Sequence, residues 1–166
     1  GDKFLGVMVP EVRTVAKKYV NLSFKEVTEL LKSKIHEERL VALLQLVYKF
    51  EIGTSKEKME IYDFYLRSTK YINNWDLVDL SADKIIGQYL LDNPEKKIIL
   101  QKLAKSKNLW ERRIAIIATF QLIKNGKYKE TLEVAEILLE DSHDLIHKAV
   151  GWMLREVGNR SRETEE

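Results

Sequence analysis

The chain has 166 residues, 45% of them hydrophobic, and no cysteine, which supplies enough core for one domain and excludes disulfides, thiolate metal sites and a cysteine nucleophile. With 28 basic against 26 acidic residues, the surface as a whole does not attract polyanions, so any nucleic-acid site must come from charge segregated onto one face. No apolar run reaches the length of a membrane-crossing helix, and Gly1-Asp2-Lys3 lacks the pattern of a signal peptide, so an intracellular, cytoplasmic protein is expected.

Phe4-Leu5-Gly6-Val7 reads like the interior of a fold, and a fragment of a longer protein is expected. Asn21-Leu22-Ser23 and Asn159-Arg160-Ser161 match the glycosylation pattern by chance on this reading. Pro10 suits the first turn of a helix running to about Tyr19. Ser23-Phe24-Lys25-Glu26 is a capping-box pattern that opens a second helix ending near Lys34. A third spans about Glu37 to Phe50, with Leu40, Leu43, Leu44 and Val47 at helical spacing, and stops at Gly53. Thr54 caps a fourth that carries Met59, Tyr62, Phe64 and Leu66. After Asn73-Asn74 one segment runs from Trp75 to about Leu91, and Asn93-Pro94 caps and begins another helix to Lys105. Three more are expected over about 109–124, 128–140 and 144–157, and nothing reads as a strand.

Helices of this length joined by short turns suggest stacked helix pairs. Alanines at 42, 82, 115 and 149 recur at spacings of 40, 33 and 34 residues, and a small residue once per unit lets helices approach closely, as in HEAT or armadillo arrays. The competing explanation is that alanine is simply common in helices. The expected fold class is therefore all-α, a HEAT-like helical-repeat solenoid with one continuous core over 1–157, a concave binding face, and a frayed polar tail over 158–166.

Most catalytic signatures are missing. His36-Glu37-Glu38-Arg39-Leu40 starts like a zinc-protease helix but has Leu40 where the second histidine belongs. His143 and His147 share a helix face yet form only half a zinc site. Trp75 and Asp79 are four apart and stack on one helix face. An acid among Leu77, Val78 and Leu80 needs a reason, because burying an unpaired carboxylate is costly. The default reason is structural, either a favourable first-turn acid or the partner of an arginine. Of the adjacent Arg112 and Arg113, one is expected to pair within its repeat and the other to face a groove. Trp152 has the core as its usual destination. The register nevertheless places Asp79, Arg112 or Arg113, and Lys148 near the starts of equivalent helices. A groove rich in arginine, lysine and tryptophan would hold a phosphate backbone and spare a carboxylate for chemistry.

Trp75-Asp76-Leu77-Val78-Asp79, Trp110-Glu111-Arg112-Arg113 and Lys148-Ala149-Val150-Gly151-Trp152-Met153-Leu154-Arg155-Glu156, with Phe4-Leu5-Gly6-Val7 and Pro10-Glu11-Val12-Arg13, resemble in order and spacing the DNA alkylation repair glycosylases built from HEAT-like repeats, over about residues 4–157. That resemblance implies a monomeric, metal-free, cofactor-free DNA glycosylase that releases 3-methyladenine and 7-methylguanine from double-stranded DNA. It matches Asp79 to the catalytic aspartate, Trp75 and Trp152 to two aromatic contacts with the lesion nucleotide, and Arg113 to a backbone-binding arginine, with Lys148 and Arg155 also facing DNA. It further implies additional helices before Phe4 and after Val157. A groove without a deep pocket would grip the sugar-phosphate and leave the base outside. The alternative is a HEAT-like module that binds DNA or protein without catalysis.

Overall fold

The computed structural model describes residues 1–163, and among these there is no β-strand. The chain divides into two compact units, Gly1–Ser81 and Ala82–Glu166. Residues 164–166, part of the expected polar tail, lie outside the described residues.

In the first unit, α1 (Val9–Lys18), α2 (Phe24–Leu31), α3 (His36–Ile52), α4 (Ser55–Arg67) and the five-residue α5 (Trp75–Asp79) follow in order. Local chemistry sets their starts. Pro10 lies in the first turn of α1, where a missing N–H leaves nothing unpaired. Ser23 and Glu26 exchange side-chain-to-backbone bonds at the head of α2, as do Thr54 and Glu57 at the head of α4. α3 is the central element. α1, α2 and α4 pack on it, and Leu40, Ala42, Leu43, Leu44, Leu46, Val47 and Phe50 are all buried along its length. On α4 the inward side chains are Ile61, Tyr62, Phe64 and Tyr65, whereas Met59 is 40% exposed.

The segment ahead of α1 is a strap laid across the first turn of α3. The Lys3 N–H donates to the Lys34 carbonyl and the His36 N–H to the Lys3 carbonyl, both at 2.8 Å. The buried Glu37 carboxylate accepts from the N–H groups of Leu5 and Gly6 at 2.9 Å. Gly6 has φ +78°, a conformation that only glycine adopts without strain and that lets successive N–H groups converge on an anion. Burial pushes the Glu37 carboxyl up, but the N–H groups of Leu5, Glu37 itself, Gly6 and Val7 together hold it below the ordinary carboxylate value. The unfolded chain therefore takes up this proton first as pH falls. The stabilisation is complete above about pH 4.3 and is lost as pH drops through the lower folded value. The thermal midpoint should fall steeply in acid for the native protein, while Glu37→Gln starts lower at neutral pH and shows a flatter acid limb. Parallel curves would remove Glu37 from the account.

In the second unit a π-helical turn (Asp83–Gly87) leads into α6 (Gln88–Asp92), followed by a 3-10 turn (Pro94–Lys96), α7 (Ile98–Ala104), α8 (Leu109–Lys124), α9 (Lys129–Leu138) and α10 (Asp144–Glu163). α8 is central here, packed by the π turn, α7, α9 and α10, with Ile114 through Ala118 and Leu122 and Ile123 buried. Asn108 caps it by accepting from the Trp110 N–H at 2.9 Å, and Gly126 at φ +71° closes its far end. The four alanines of the sequence register, Ala42, Ala82, Ala115 and Ala149, are all buried.

Three elements differ from the sequence reading. Trp75 to Leu91 is not one helix. The Ser81 hydroxyl donates to the Leu77 carbonyl at 2.5 Å and the Ser81 N–H to the Val78 carbonyl at 3.1 Å, which tightens and ends α5. Asn93 does not cap the next helix. Its side chain donates to the Tyr89 carbonyl at 2.9 Å and so closes α6, leaving Pro94 to start only a 3-10 turn. α10 continues past Val157 through to Glu163, with the Glu156–Arg160 ion pair on the added turn.

Candidate functional site

α5 carries the two candidates of the first unit. Leu77 and Val78 are fully buried, which anchors the inner side of the helix. Trp75 is 54% exposed, and Asp79, one helical turn later, is half-buried. The run contains two acids, and the structure gives them different surroundings. Asp76 Oδ2 lies 2.6 Å from Nε2 of the buried His36, while its Oδ1 accepts the Leu77 N–H at 2.8 Å. Asp76 is thus a first-turn acid with a structural partner. The His36–Arg39 run, which fails as a zinc motif, serves instead to bind the strap and α5. Its signal in the sequence is a strongly polar opening to a helix that is otherwise apolar.

In the second unit Arg112 makes the internal pairing expected of one of the two arginines. Its Nε donates to Asp141 Oδ2 at 2.7 Å and its Nη1 to the carbonyls of Ser106 and Lys107 at 3.1 Å. Burial raises the Asp141 carboxyl, but the His143 N–H and the Arg112 guanidinium outweigh it and hold the group below its ordinary value. Arg113 is buried, 6% exposed, and donates to the Leu145 carbonyl at 2.6 Å, so it reaches the first turn of α10. Lys148 pairs with Asp144 at 2.9 Å across an exposed turn, and Arg155 is exposed.

Lys148 and Arg155 are two helical turns apart and share a face, with the exposed Gly151 between them. A Cβ added at Gly151 would meet nothing within 4 Å. Trp152 is half-buried and packs on Phe120 with ring centroids 5.7 Å apart. Phe120 also lies under the Lys124 ammonium at 4.5 Å. His143 and His147 sit on α10, and among the described residues no group of three His, Asp or Glu is arranged to hold a metal ion. Two clefts, of about 370 Å³ beside Lys97, Ile98 and Glu130 and about 340 Å³ beside Phe24, Lys49 and Ile52, are lined by none of the candidates.

Residues 1–166 match the family described as DNA alkylation repair enzyme. The chain belongs to that family. It is accordingly an enzyme of DNA repair, and among its described residues no helix is long and apolar enough to cross a membrane. A solved structure, "Predicted DNA alkylation repair enzyme from Enterococcus faecalis", superposes with a TM-score of 0.68 at 17% identity, covering 95% of this chain and 76% of that one. The family's helical fold is thus shared across a wide sequence distance. No curated protein matches the chain.

Proposed function

We propose that this member of the family is a monofunctional, metal-independent glycosylase that hydrolyses the N-glycosidic bond of cationic alkylated purines, such as 3-methyladenine and 7-methylguanine, in double-stranded DNA. Asp79 is the catalytic carboxylate in this reading, Trp75 and Trp152 contact the lesion nucleotide, and Arg113, Lys148 and Arg155 hold the DNA backbone. The observation that carries it is α5 itself, which sets an indole 54% exposed one helical turn before the half-buried carboxylate of Asp79.

The chemistry suits that pair. An N-alkylated purine already carries positive charge, so when the C1′–N bond breaks its electron pair neutralises the departing base, and no strong general acid is needed. Positive charge develops on the sugar instead, where one carboxylate stabilises it. Water then adds to C1′ and loses a proton to solvent. An exposed indole face attracts the cationic base before the bond breaks. Release of free methylated purine from alkylated duplex DNA by the native protein, and its loss in Asp79→Asn, tests the proposal.

The exposed face of α10 offers a second check. A glycine inside an exposed helix costs about 0.5–1 kcal/mol relative to alanine, and at Gly151 the fold itself leaves room for a Cβ. Close approach of a sugar-phosphate strand between Lys148 and Arg155 gives that glycine a purpose. Gly151→Ala should raise the thermal midpoint by about 1–4 °C and weaken DNA binding severalfold. A stabilised variant with unchanged affinity would take this face out of the DNA contact. The rival reading, a non-catalytic binding module, draws on the burial of Arg113 and the packing of Trp152 on Phe120, both sufficient as structural roles. It requires that no base be released.

A further inference from the structure

We infer that the His36–Asp76 pair is a positioning device that holds α5, and through it Trp75 and Asp79, in working geometry. The inference rests on the roles proposed above for those two residues. A helix of five residues does not hold itself together, because nucleation is unfavourable and too few hydrogen bonds follow to offset it. Its register must come from outside the helix.

The ties are visible on both sides of the indole. Asn74 caps the helix by accepting the Trp75 N–H at 2.8 Å. Asn73 Nδ2 donates to Asp2 Oδ2 at 3.1 Å, and Asp2 pairs with Arg39 Nη2 at 2.6 Å. Asp76 meets His36 at 2.6 Å, and Phe4 of the strap stacks on the His36 ring with centroids 4.7 Å apart. At the far end Ser81 bonds the Tyr65 hydroxyl at 2.8 Å. Residues 73 and 76 are thus gripped by the strap and the first turn of α3, while the Trp75 side chain between them remains in solvent. His36 is 4% exposed, so its partner cannot be exchanged for water without opening the packing around it. A bond of this kind fixes direction as well as distance, and misplacing a reacting group by about 1 Å costs on the order of 100-fold in rate.

Asp76→Ala, Asp76→Asn and His36→Gln, compared with the native protein, test this by two readouts. One is amide hydrogen exchange over residues 74–80, and the other is single-turnover release of 7-methylguanine from methylated duplex DNA. Asp76→Ala should speed exchange in α5 by about tenfold or more while α3 and α4 keep their protection, and should lower the release rate by about 10- to 100-fold with DNA affinity within about threefold of native. Asp76→Asn keeps an acceptor for the ring, and His36→Gln keeps an amide nitrogen near the place of Nε2. Both should recover most of the rate, which a purely structural role would not require. Unchanged exchange in Asp76→Ala overturns the inference, and so does looser exchange with a native release rate. If Asp76→Ala does not fold, His36→Leu takes its place in the comparison. If even the native protein releases no base, the glycosylase reading has failed, and exchange alone then decides whether the pair holds α5.

Discussion

Asp79→Asn is expected to slow release of methylated purines about a thousandfold, with duplex DNA affinity changed by less than about threefold. The substitution keeps size and shape and removes the charge, at the cost of turning one acceptor oxygen into an NH2 donor, so electrostatics is the main change. At about 4 Å and an effective dielectric near 20, a carboxylate attracts a developing sugar cation by roughly 4 kcal/mol, which corresponds to about three orders of magnitude in rate. Trp75→Ala is the natural comparison. A cation–π contact contributes roughly 0.5–2 kcal/mol, so losing it should cost at most about 30-fold, mainly in recognition of the lesion. The ordering of the two variants matters more than either value. Persistent excision by Asp79→Asn, measured as free base under single-turnover conditions, would remove Asp79 from the reaction, and a larger loss at Trp75 than at Asp79 would show that binding rather than charge stabilisation controls the rate.

Much of the fold could be read in the residues because its signals are local. The caps at Ser23 and Thr54 each act within three residues of themselves, and the apolar run Leu40–Val47 buries itself as helical spacing requires. The buried alanines followed from the same logic of close helix approach. What escaped depends on partners distant in sequence. Asn93 could equally well have capped the helix after it, and its bond to Tyr89 decides otherwise. The break after Asp79 comes from Ser81 turning back on Leu77 and meeting Tyr65, none of which periodicity encodes. At the candidate site, Asp76 and Asp79 look alike in a short apolar run, and the pairing of Asp76 with His36, forty residues earlier, is not encoded by that run. Arg112 and Arg113 are distinguished by Asp141 and the Leu145 carbonyl, and the burial of Arg113 is invisible in a string that shows only two adjacent cations.

Gly87→Ala should destabilise the second unit by about 3 kcal/mol or more, and a drop in thermal midpoint of about 6–12 °C is the corresponding measurement. The backbone of Gly87 is ordinary for a helix, with φ −59° and ψ −47°, so conformation gives no reason for glycine there. Space does. A Cβ at this position would come closer to the Ala118 carbonyl oxygen than the 3.0 Å that real Cβ atoms keep, and would lie 2.9 Å from the Gln121 Cβ. Ala118 is fully buried on α8, and its carbonyl belongs to the backbone, so no rotamer change relieves the clash. The π turn would have to lift away from the central helix of its unit. Gly151→Ala makes the same chemical change with the opposite expected sign, because that position faces open space. If Gly87→Ala and Gly151→Ala shifted the midpoint alike, the close backbone approach of the π turn to α8 would be wrong, since helix propensity alone stabilises both.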